Sequence, residues 1–242
     1  MKPSPYRRLY EYAFVLVIIM ILAAVILPTI GHTCGGRGGR FVDGSNLRQI
    51  GQATLIYASG HNDRLPVAED VWDYARQLAE GGGLDEARLW QSTIDPASTP
   101  AGDKKLKVLL PSLNGQQPRE LNPAFRKVKP AFAVALGKIT TNSPATTPIA
   151  WTRGLQPDGT WAKHSPYGTA GGYIYFLGGN VAFYLNLSGN GGELIGRDGN
   201  KTANIFDALP RGCRIGEYMP TPAEEAQWAR ITEENKPRSP SR

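Results

Sequence analysis

The sequence predicts an α+β protein in which an N-terminal transmembrane helix precedes a domain made of an amphipathic helix packed on a small antiparallel sheet, with loop-rich insertions. Three observations lead to this fold class. Residues 12–30 carry no charge, residues 45–58 place apolar side chains at helical spacing, and residues 131–187 contain short strand-like runs separated by turn residues. The 19 prolines and 28 glycines indicate many loops between these elements.

The uncharged segment from Tyr12 to Ile30 is long enough to cross a bilayer as a helix. At 1.5 Å per residue it spans about 28 Å, close to the ~30 Å of the hydrocarbon core. Because basic residues precede it, we expect the N-terminus to be cytoplasmic and the chain after Ile30 to lie outside. These basic residues are Lys2, Arg7 and Arg8. A cleaved signal peptide would have a shorter apolar stretch and a small-residue cleavage site, which residues 28–34 do not offer.

Glu11 stands at the entrance of this segment. A carboxylate costs about 2.5–3.5 kcal/mol at the centre of a membrane helix, so such a residue usually has a partner. A cation of a neighbouring subunit would neutralise it; alternatively, Glu11 reaches the headgroup layer and pairs with nothing. The segment would then be a plain anchor. The sequence leaves these alternatives open.

Three segments resemble one protein family. Glu11 with the aliphatic run 15–28 resembles the N-terminal helix of type IV pilins and type II secretion pseudopilins, in which a proline follows the glutamate after the same interval. Residues 45–58 with 62–66, and residues 175–183, are similar to two motifs of large pilin-like proteins from planctomycete- and verrucomicrobia-type bacteria. The motif positions in the last two segments are Asn46, Leu47, Gln49, Ile50, Gly51, Gly178, Gly179 and Asn180. Of these, Gly178 and Asn180 depart from the motif, because the relatives carry Asp and His there, so no role of those polar side chains carries over.

The resemblance implies a non-catalytic subunit, without cofactor, that assembles laterally through its N-terminal helix in a type II secretion or type IV pilus-type system. It implies a single-pass protein of the bacterial inner membrane with a periplasmic C-terminal domain. Its partners would be inner-membrane lipids, other pilin-like subunits and the secretion or pilus assembly machinery. The assembly residues would be Glu11, Arg7, Arg8 and Pro28. The family is cut after a glycine five residues before the glutamate; Tyr6 stands there, which leaves processing open.

The chain is expected to divide into the anchor (1–30), a Gly/Arg-rich neck (31–44), the exported domain (45–215) and a C-terminal helix with a disordered tail (216–242). Glycine costs ~1 kcal/mol in a helix interior, so we expect the glycines at 35–39 to break or loosen the helix. The helix should resume at Ser45 or Asn46, since both residue types favour the N-cap.

Periodicity predicts the remaining elements. We expect a second helix from 68 or 69 to 80, a helical turn at 85–90, and a final helix from the capping box Thr221–Glu224 to about Asn235. The expected strands are 104–110, 131–136, 147–151, 172–177 and 181–187, with a hairpin turn at Gly178-Gly179-Asn180. The proline of strand 147–151 suits an edge strand or a first position.

Composition gives little support for nucleic-acid binding, metal binding or catalysis. The net charge is +6, but the basic residues are scattered without interleaved aromatics. Cys34 and Cys213 would both be exported, so they form either one disulfide or two thiols. The loop 188–204 has calcium-type donors, although Asx turns are the commoner use of such residues. Those donors are Asp198, Asn200 and Asn204.

Two other functions remain open. One is a membrane-tethered periplasmic binding module, with glycans as a candidate ligand, that is never processed or polymerised. Its stacking residues would be Trp151, Trp161, Tyr167 and Tyr173. The weaker one is an anchored hydrolase, but the three histidines are isolated in loops and His164 is interpreted as solvated. Asp70 and Asp73 are interpreted as part of a wet helix face.

Overall fold

The computed structural model describes residues 37–97, 105–112 and 118–226, with side chains from Gly39 onward. The chain divides into Met1–Gly38 and Gly39–Arg242, and every side chain described belongs to the second unit. This unit combines helices with an antiparallel sheet, which confirms the α+β class. The predicted membrane segment lies outside the described residues. Among those residues, no helix has both the length and the apolar character needed to cross a membrane.

The described residues form four helices and seven strands. The helices are α1 (Arg37–Ser59), α2 (Val71–Gly81), α3 (Pro123–Arg126) and α4 (Ile205–Ala208). The strands are β1 (Phe132–Leu136), β2 (Pro148–Thr152), β3 (Gly172–Phe176), β4 (Val181–Tyr184), β5 (Leu194–Ile195), β6 (Lys201–Thr202) and β7 (Arg214–Gly216). Short 3-10 turns occur at Ala87–Trp90, Gly168–Ala170 and Gly189–Gly191.

The main sheet has the order β4-β3-β2-β1-β7, and all of its neighbouring strands are antiparallel. Strands β1 to β4 form the predicted set of four. The fifth strand, β7, was not predicted, because its three residues are too few to show an alternating pattern. β2 lies inside the sheet, so the edge alternative was wrong. Pro148 is the first residue of β2, where its missing N–H interrupts no internal ladder.

Strand register assigns the side chains to two faces. Ala150 lies opposite both Val134 and Tyr175, so these three residues share a face. Trp151 lies opposite Ile174 and therefore belongs to the other face. Val134, Trp151 and Ile174 are all fully buried. The sheet is thus covered on both sides. This explains why its central strands have nearly continuous apolar sequences and not an alternating pattern.

Helix α1 begins eight residues earlier than Ser45. It runs from Arg37 through Gly39 and Gly44, so the prediction of a broken or loosened helix at residues 37–44 was wrong. Intrinsic propensity is a weak preference that tertiary packing overrides. The contacts that do so here involve Gly39, where a Cβ would overlap the Ile94 side chain, and Gly44, which lies against the ring of Tyr173.

Helix α2 confirms the predicted second helix, starting at Val71 and ending at Gly81. Asp70 is its N-cap and accepts a 2.8 Å hydrogen bond from the backbone N–H of Asp73. Asp70 also forms a 2.9 Å ion pair with Arg126. It therefore caps the helix and ties it to α3, a role beyond that of a wet surface residue.

The remaining predictions met mixed outcomes. The predicted strand 104–110 forms only isolated bridges, Glu86 with Lys107 and Leu109 with Leu121, within the described part of that segment. The turn at Ala87–Trp90 matches the predicted one. Residues 222–226 are helical, and the capping box is formed: the Thr221 N–H donates to the Glu224 carboxylate at 2.8 Å. The rest of the predicted final helix lies outside the described residues.

Candidate functional site

Helix α1 is fixed to the sheet where Gly51 meets Tyr175. A Cβ at position 51 would overlap the Tyr175 ring, so only glycine allows this approach. Leu47 and Ile50, which lie on the same inner side of α1, are fully buried in the core. Tyr175 itself is buried, and burial raises the pKa of its hydroxyl. The predicted apolar stripe of α1 is therefore confirmed as the face that packs on the sheet.

The same tyrosine connects the two described segments that resemble pilin-like motifs. The hairpin turn joins β3 to β4 as predicted: the Phe176 N–H donates to the Asn180 carbonyl at 2.9 Å, and Gly179 adopts a φ of 87°. A Cβ at Gly179 would lie 4.0 Å from the Tyr175 hydroxyl. Gly178 donates its N–H to the Ala145 carbonyl at 2.9 Å. Gly51 and the turn therefore meet around one side chain.

The two polar motif positions on α1 have different surroundings. Asn46 is buried, and its side-chain N–H donates to the Gln91 carbonyl at 3.4 Å. It thus connects α1 to the segment that follows the Ala87–Trp90 turn. Gln49 is exposed, and its side-chain N–H donates to the Ser45 carbonyl at 3.5 Å.

A buried carboxylate holds the first turns of α1. Asp43 is 1% exposed and accepts hydrogen bonds from the Tyr167 hydroxyl at 2.7 Å and from the Ser92 hydroxyl. Its second oxygen, Oδ1, has no hydrogen-bond partner among the described residues. Burial raises the pKa of Asp43 to about 6, although the hydrogen bonds from Ser92 and Tyr167 oppose the shift. Burial and the neighbouring Asp43 together raise the pKa of Tyr167.

An aromatic cluster lies beside Asp43 and receives a cation from the same helix. The rings of Tyr167, Tyr173 and Phe183 meet edge to face, with centroids 4.9–6.1 Å apart. The guanidinium of Arg40 lies 5.2 Å from the Phe183 centroid and 5.7 Å from the Tyr167 centroid. This cation–π contact stabilises the helical start in the segment where the sequence predicted a broken or loosened helix.

The outer side of α1 is open and carries few charges. Phe41 is 76% exposed, Ile56 is 57% exposed and Val42 is 46% exposed. Between them lie four exposed residues with a single charge, namely Ser45, Arg48, Gln49 and Gln52. At 100° per residue these seven positions share one side of the helix, opposite to Leu47 and Ile50. The helix thus presents an exposed, weakly charged surface.

A second buried polar cluster was missed by the sequence analysis. Arg153 and Asp95 are both fully buried and form a bidentate ion pair, with Nη2 2.7 Å from Oδ1. Arg153 also donates to the carbonyls of Pro130 at 3.1 Å and His164 at 3.0 Å. The only local sign of this cluster in the sequence is that Arg153, a charged residue, directly follows a buried strand. Its partner is 58 residues away, so no spacing rule would find the pair.

This cluster extends to the C-terminal end of the described chain. Glu217, which follows β7, accepts a 2.8 Å hydrogen bond from the Gly154 N–H, and burial raises the pKa of its carboxyl. The His164 side chain is only 12% exposed and lies 3.0 Å from the Glu225 carboxylate. The interpretation of His164 as a solvated loop residue was therefore wrong. Its contact with Glu225 connects it to the helical residues 222–226.

Two of the four proposed stacking residues are not accessible. Trp151 is 0% exposed and Trp161 is 2% exposed, so neither ring offers a face to a glycan. Trp151 fills the sheet face opposite α1, and Trp161 donates its indole N–H to the Thr152 carbonyl at 3.3 Å. Both tryptophans serve the core. Tyr167 and Tyr173 are half-buried and packed in the Asp43 cluster.

The polar residues of the loop 188–204 are engaged in turns. Asp198 accepts a 3.0 Å hydrogen bond from the Asn200 N–H, and Asn204 caps α4 through the Phe206 N–H, also at 3.0 Å. In the described ranges, no cluster of three or more His, Cys, Asp or Glu side chains could hold a metal ion.

Several predicted site residues lie outside the described ranges. These are Glu11, Arg7, Arg8, Pro28 and Cys34. Cys213 is half-buried next to Gly137, and burial raises the pKa of its thiol.

In comparisons with known proteins, no protein-family model, no curated protein and no solved structure matches this chain.

Proposed function

We propose that this chain is a membrane-anchored, non-catalytic, pilin-like subunit that assembles laterally through its N-terminal helix with other such subunits, in a secretion or pilus-type system of the bacterial inner membrane. The anchor is the uncharged segment 12–30, with the domain on the periplasmic side. Glu11 at the entrance of the segment would be neutralised by Arg7 or Arg8 of a neighbouring subunit.

The observation that carries this proposal is the division of α1 into two faces. Its inner face is committed to the sheet through Gly51 and Tyr175, while its outer face leaves Phe41, Val42 and Ile56 exposed. Large apolar side chains grouped on one side of a helix favour contact with another protein surface. In the sequence only six residues separate this helix from Ile30, so lateral contacts between anchors would bring the domains of neighbouring subunits close together.

Disulfide crosslinking in native membranes tests the lateral contact. In a background with Cys34→Ser and Cys213→Ser, Ala23→Cys should give covalent dimers after mild oxidation. Ile21→Cys is the control, because at 100° per residue it lies on the opposite side of the same helix. Glu11→Ala should reduce the Ala23→Cys dimer, and Glu69→Ala, which removes an exposed carboxylate, should not. Equal crosslinking from both positions, or no effect of Glu11→Ala, would refute ordered assembly.

The second candidate function is a tethered binding module that is not processed and does not polymerise. An open cleft next to Tyr57 and His61 favours it as an additional role. The N-terminal sequence of the native protein separates the two functions. A start at Arg7 would establish processing as a prepilin, whereas a start at Met1 with no crosslinked dimer would leave only the tethered module.

A further inference from the structure

An open cleft lies at the C-terminal end of α1, where this helix meets α2. Tyr57 and His61 form the ridge between two adjoining cavities of about 570 and 400 Å3. The larger cavity extends along α2 past Arg76 and Glu80, and the smaller one follows the loop after α1. Both volumes fall within the ~300–1,000 Å3 of small-ligand sites.

The ridge is a stacked aromatic pair. The rings of Tyr57 and His61 stack with centroids 3.7 Å apart and planes 5° from parallel. His61 Nδ1 lies 2.7 Å from the Tyr57 carbonyl, and because a carbonyl only accepts, Nδ1 carries the hydrogen. The Tyr57 hydroxyl donates to the Gln77 side chain at 3.1 Å. His61 is exposed, so its Nε2 remains as an acceptor for a ligand.

The charges in the larger cavity are already balanced. Arg76 forms ion pairs with Asp73 at 2.9 Å and with Glu80 at 3.1 Å. Phosphate and carboxylate ligands are usually bound by a guanidinium fork that is free to face them, and here the carboxylates occupy it. The cavity therefore favours a ligand without net charge.

The remaining groups suit a ligand covered with hydroxyls. Two N–H groups of Arg76 are not used in its ion pairs with the carboxylates, and the smaller cavity adds the side chains of Asn62 and Arg64. Val67, which is 62% exposed, provides apolar wall in the same cavity. Hydroxyl groups both donate and accept, while the C–H faces of a sugar ring pack on aromatic and aliphatic surface.

We propose that this cleft binds a neutral saccharide across the Tyr57–His61 ridge, with ring faces against the aromatic and aliphatic walls and hydroxyls on Arg76, Asn62, Arg64 and His61 Nε2. The site does not require assembly of the chain, so it is compatible with the proposed subunit and with a tethered module. Gly81 sets the width of the cleft. A Cβ there would lie 2.8 Å from Tyr57 Cδ2 and 3.0 Å from His61 Cε1.

Saturation-transfer NMR and calorimetry on the full chain, in micelles of a detergent without sugar headgroups, test the proposal. The probes are cellohexaose, chitohexaose, mannohexaose and maltohexaose, with hexagalacturonate as an anionic comparison. We expect at least one neutral hexasaccharide to bind and hexagalacturonate to bind less well. His61→Ala and Gly81→Val should each weaken binding by about tenfold or more, equivalent to ~1.4 kcal/mol.

Phe206→Ala is the matched control, since it removes an exposed aromatic ring elsewhere on the domain. It should leave saccharide binding unchanged. Unfolding temperatures show whether a variant has lost its fold, and His61 is exposed enough for His61→Ala to remain folded. The proposal is overturned if none of the neutral probes transfers saturation at about 5 mM. It is equally overturned if hexagalacturonate binds best, or if binding survives both cleft variants.

Discussion

The ring of Tyr175 lies directly against the backbone of Gly51, and this contact sets the distance between α1 and the sheet. Gly44, two turns earlier, lies against Tyr173 in the same way, since a Cβ at position 44 would lie 3.2 Å from Tyr173 Cε1. Two glycines seven residues apart on the helix thus meet alternate residues of β3, and both tyrosines belong to one face of the strand.

Gly51→Ala should destabilise the domain. Helix propensity alone predicts a gain of about 1 kcal/mol from alanine. The buried Tyr175 ring cannot move aside, however, so overpacking should reverse the sign and cost about 1–3 kcal/mol. Urea unfolding of the full chain in detergent, followed by the fluorescence of the buried Trp90 and Trp151, measures the change.

Gly44→Ala provides the comparison for this change. Tyr173 is half-buried and can shift by a few tenths of an ångström, so alanine here should be close to neutral. Adding Tyr175→Leu to Gly51→Ala should recover part of the lost stability. A stabilising Gly51→Ala would show that the helix does not approach the sheet this closely.

Asp43 should make stability depend on pH. Its pKa is about 6 in the folded chain against an ordinary value of 3.8, so the folded state holds the proton more tightly. The protonated Asp43 carboxyl therefore contributes about 3 kcal/mol to the free energy of unfolding below about pH 4. This contribution is lost as the pH rises through 6.

Asp43→Asn should remove this dependence and raise the free energy of unfolding at neutral pH relative to the native chain. Unfolding curves at several pH values between about 4 and 8 measure it. Asp63→Asn, at an exposed site with φ of 60° that asparagine also tolerates, controls for the loss of a carboxylate. If the free energy of unfolding changed with pH in the same way for Asp43→Asn and the native chain, the buried Asp43 carboxylate would not be the cause of the pH dependence.

Replacing one residue of the Arg153–Asp95 pair should destabilise the domain far more, per substitution, than replacing both residues together. Asp95→Asn leaves a buried guanidinium without its counter-charge and should cost about 3–5 kcal/mol. The double variant Asp95→Asn/Arg153→Met should cost less than the sum of the single changes, because neither charge remains buried. Denaturant unfolding of both singles and the double completes the cycle.

Arg88→Met serves as the surface control for that cycle. Arg88 pairs with Glu86 at 2.6 Å, but the two side chains are 67% and 44% exposed. Its loss should change stability by about 0.5 kcal/mol or less. Additive effects of Asp95→Asn and Arg153→Met would argue against a coupled buried pair.

Changes on the outer face of α1 should affect assembly and leave the fold intact. Phe41→Ser and Ile56→Ser remove exposed apolar surface, so we expect unchanged unfolding but a weaker Ala23→Cys crosslink. Leu185→Ser, at a residue that is 73% exposed elsewhere on the domain, should alter neither. Normal crosslinking with both α1 variants would mean that the outer face takes no part in lateral contact.

The sequence by itself determined the elements whose residues carry a local pattern. The apolar stripe around Leu47 and Ile50, the second helix, the hairpin at Gly178–Asn180 and the capping box at Thr221 all depend on neighbours within a few residues. Short-range geometry fixes such features, so the α+β class and strands β1 to β4 follow from it.

Only the tertiary structure decided the features that depend on distant partners. The helical start at Arg37 goes against the glycine propensity of its segment, and contacts from Tyr167, Tyr173 and Phe183 maintain it. The Arg153–Asp95 pair joins positions 58 residues apart, and β7 is too short to be recognised before it pairs with β1. In each case the stabilising free energy comes from burial against another element, which no local pattern encodes.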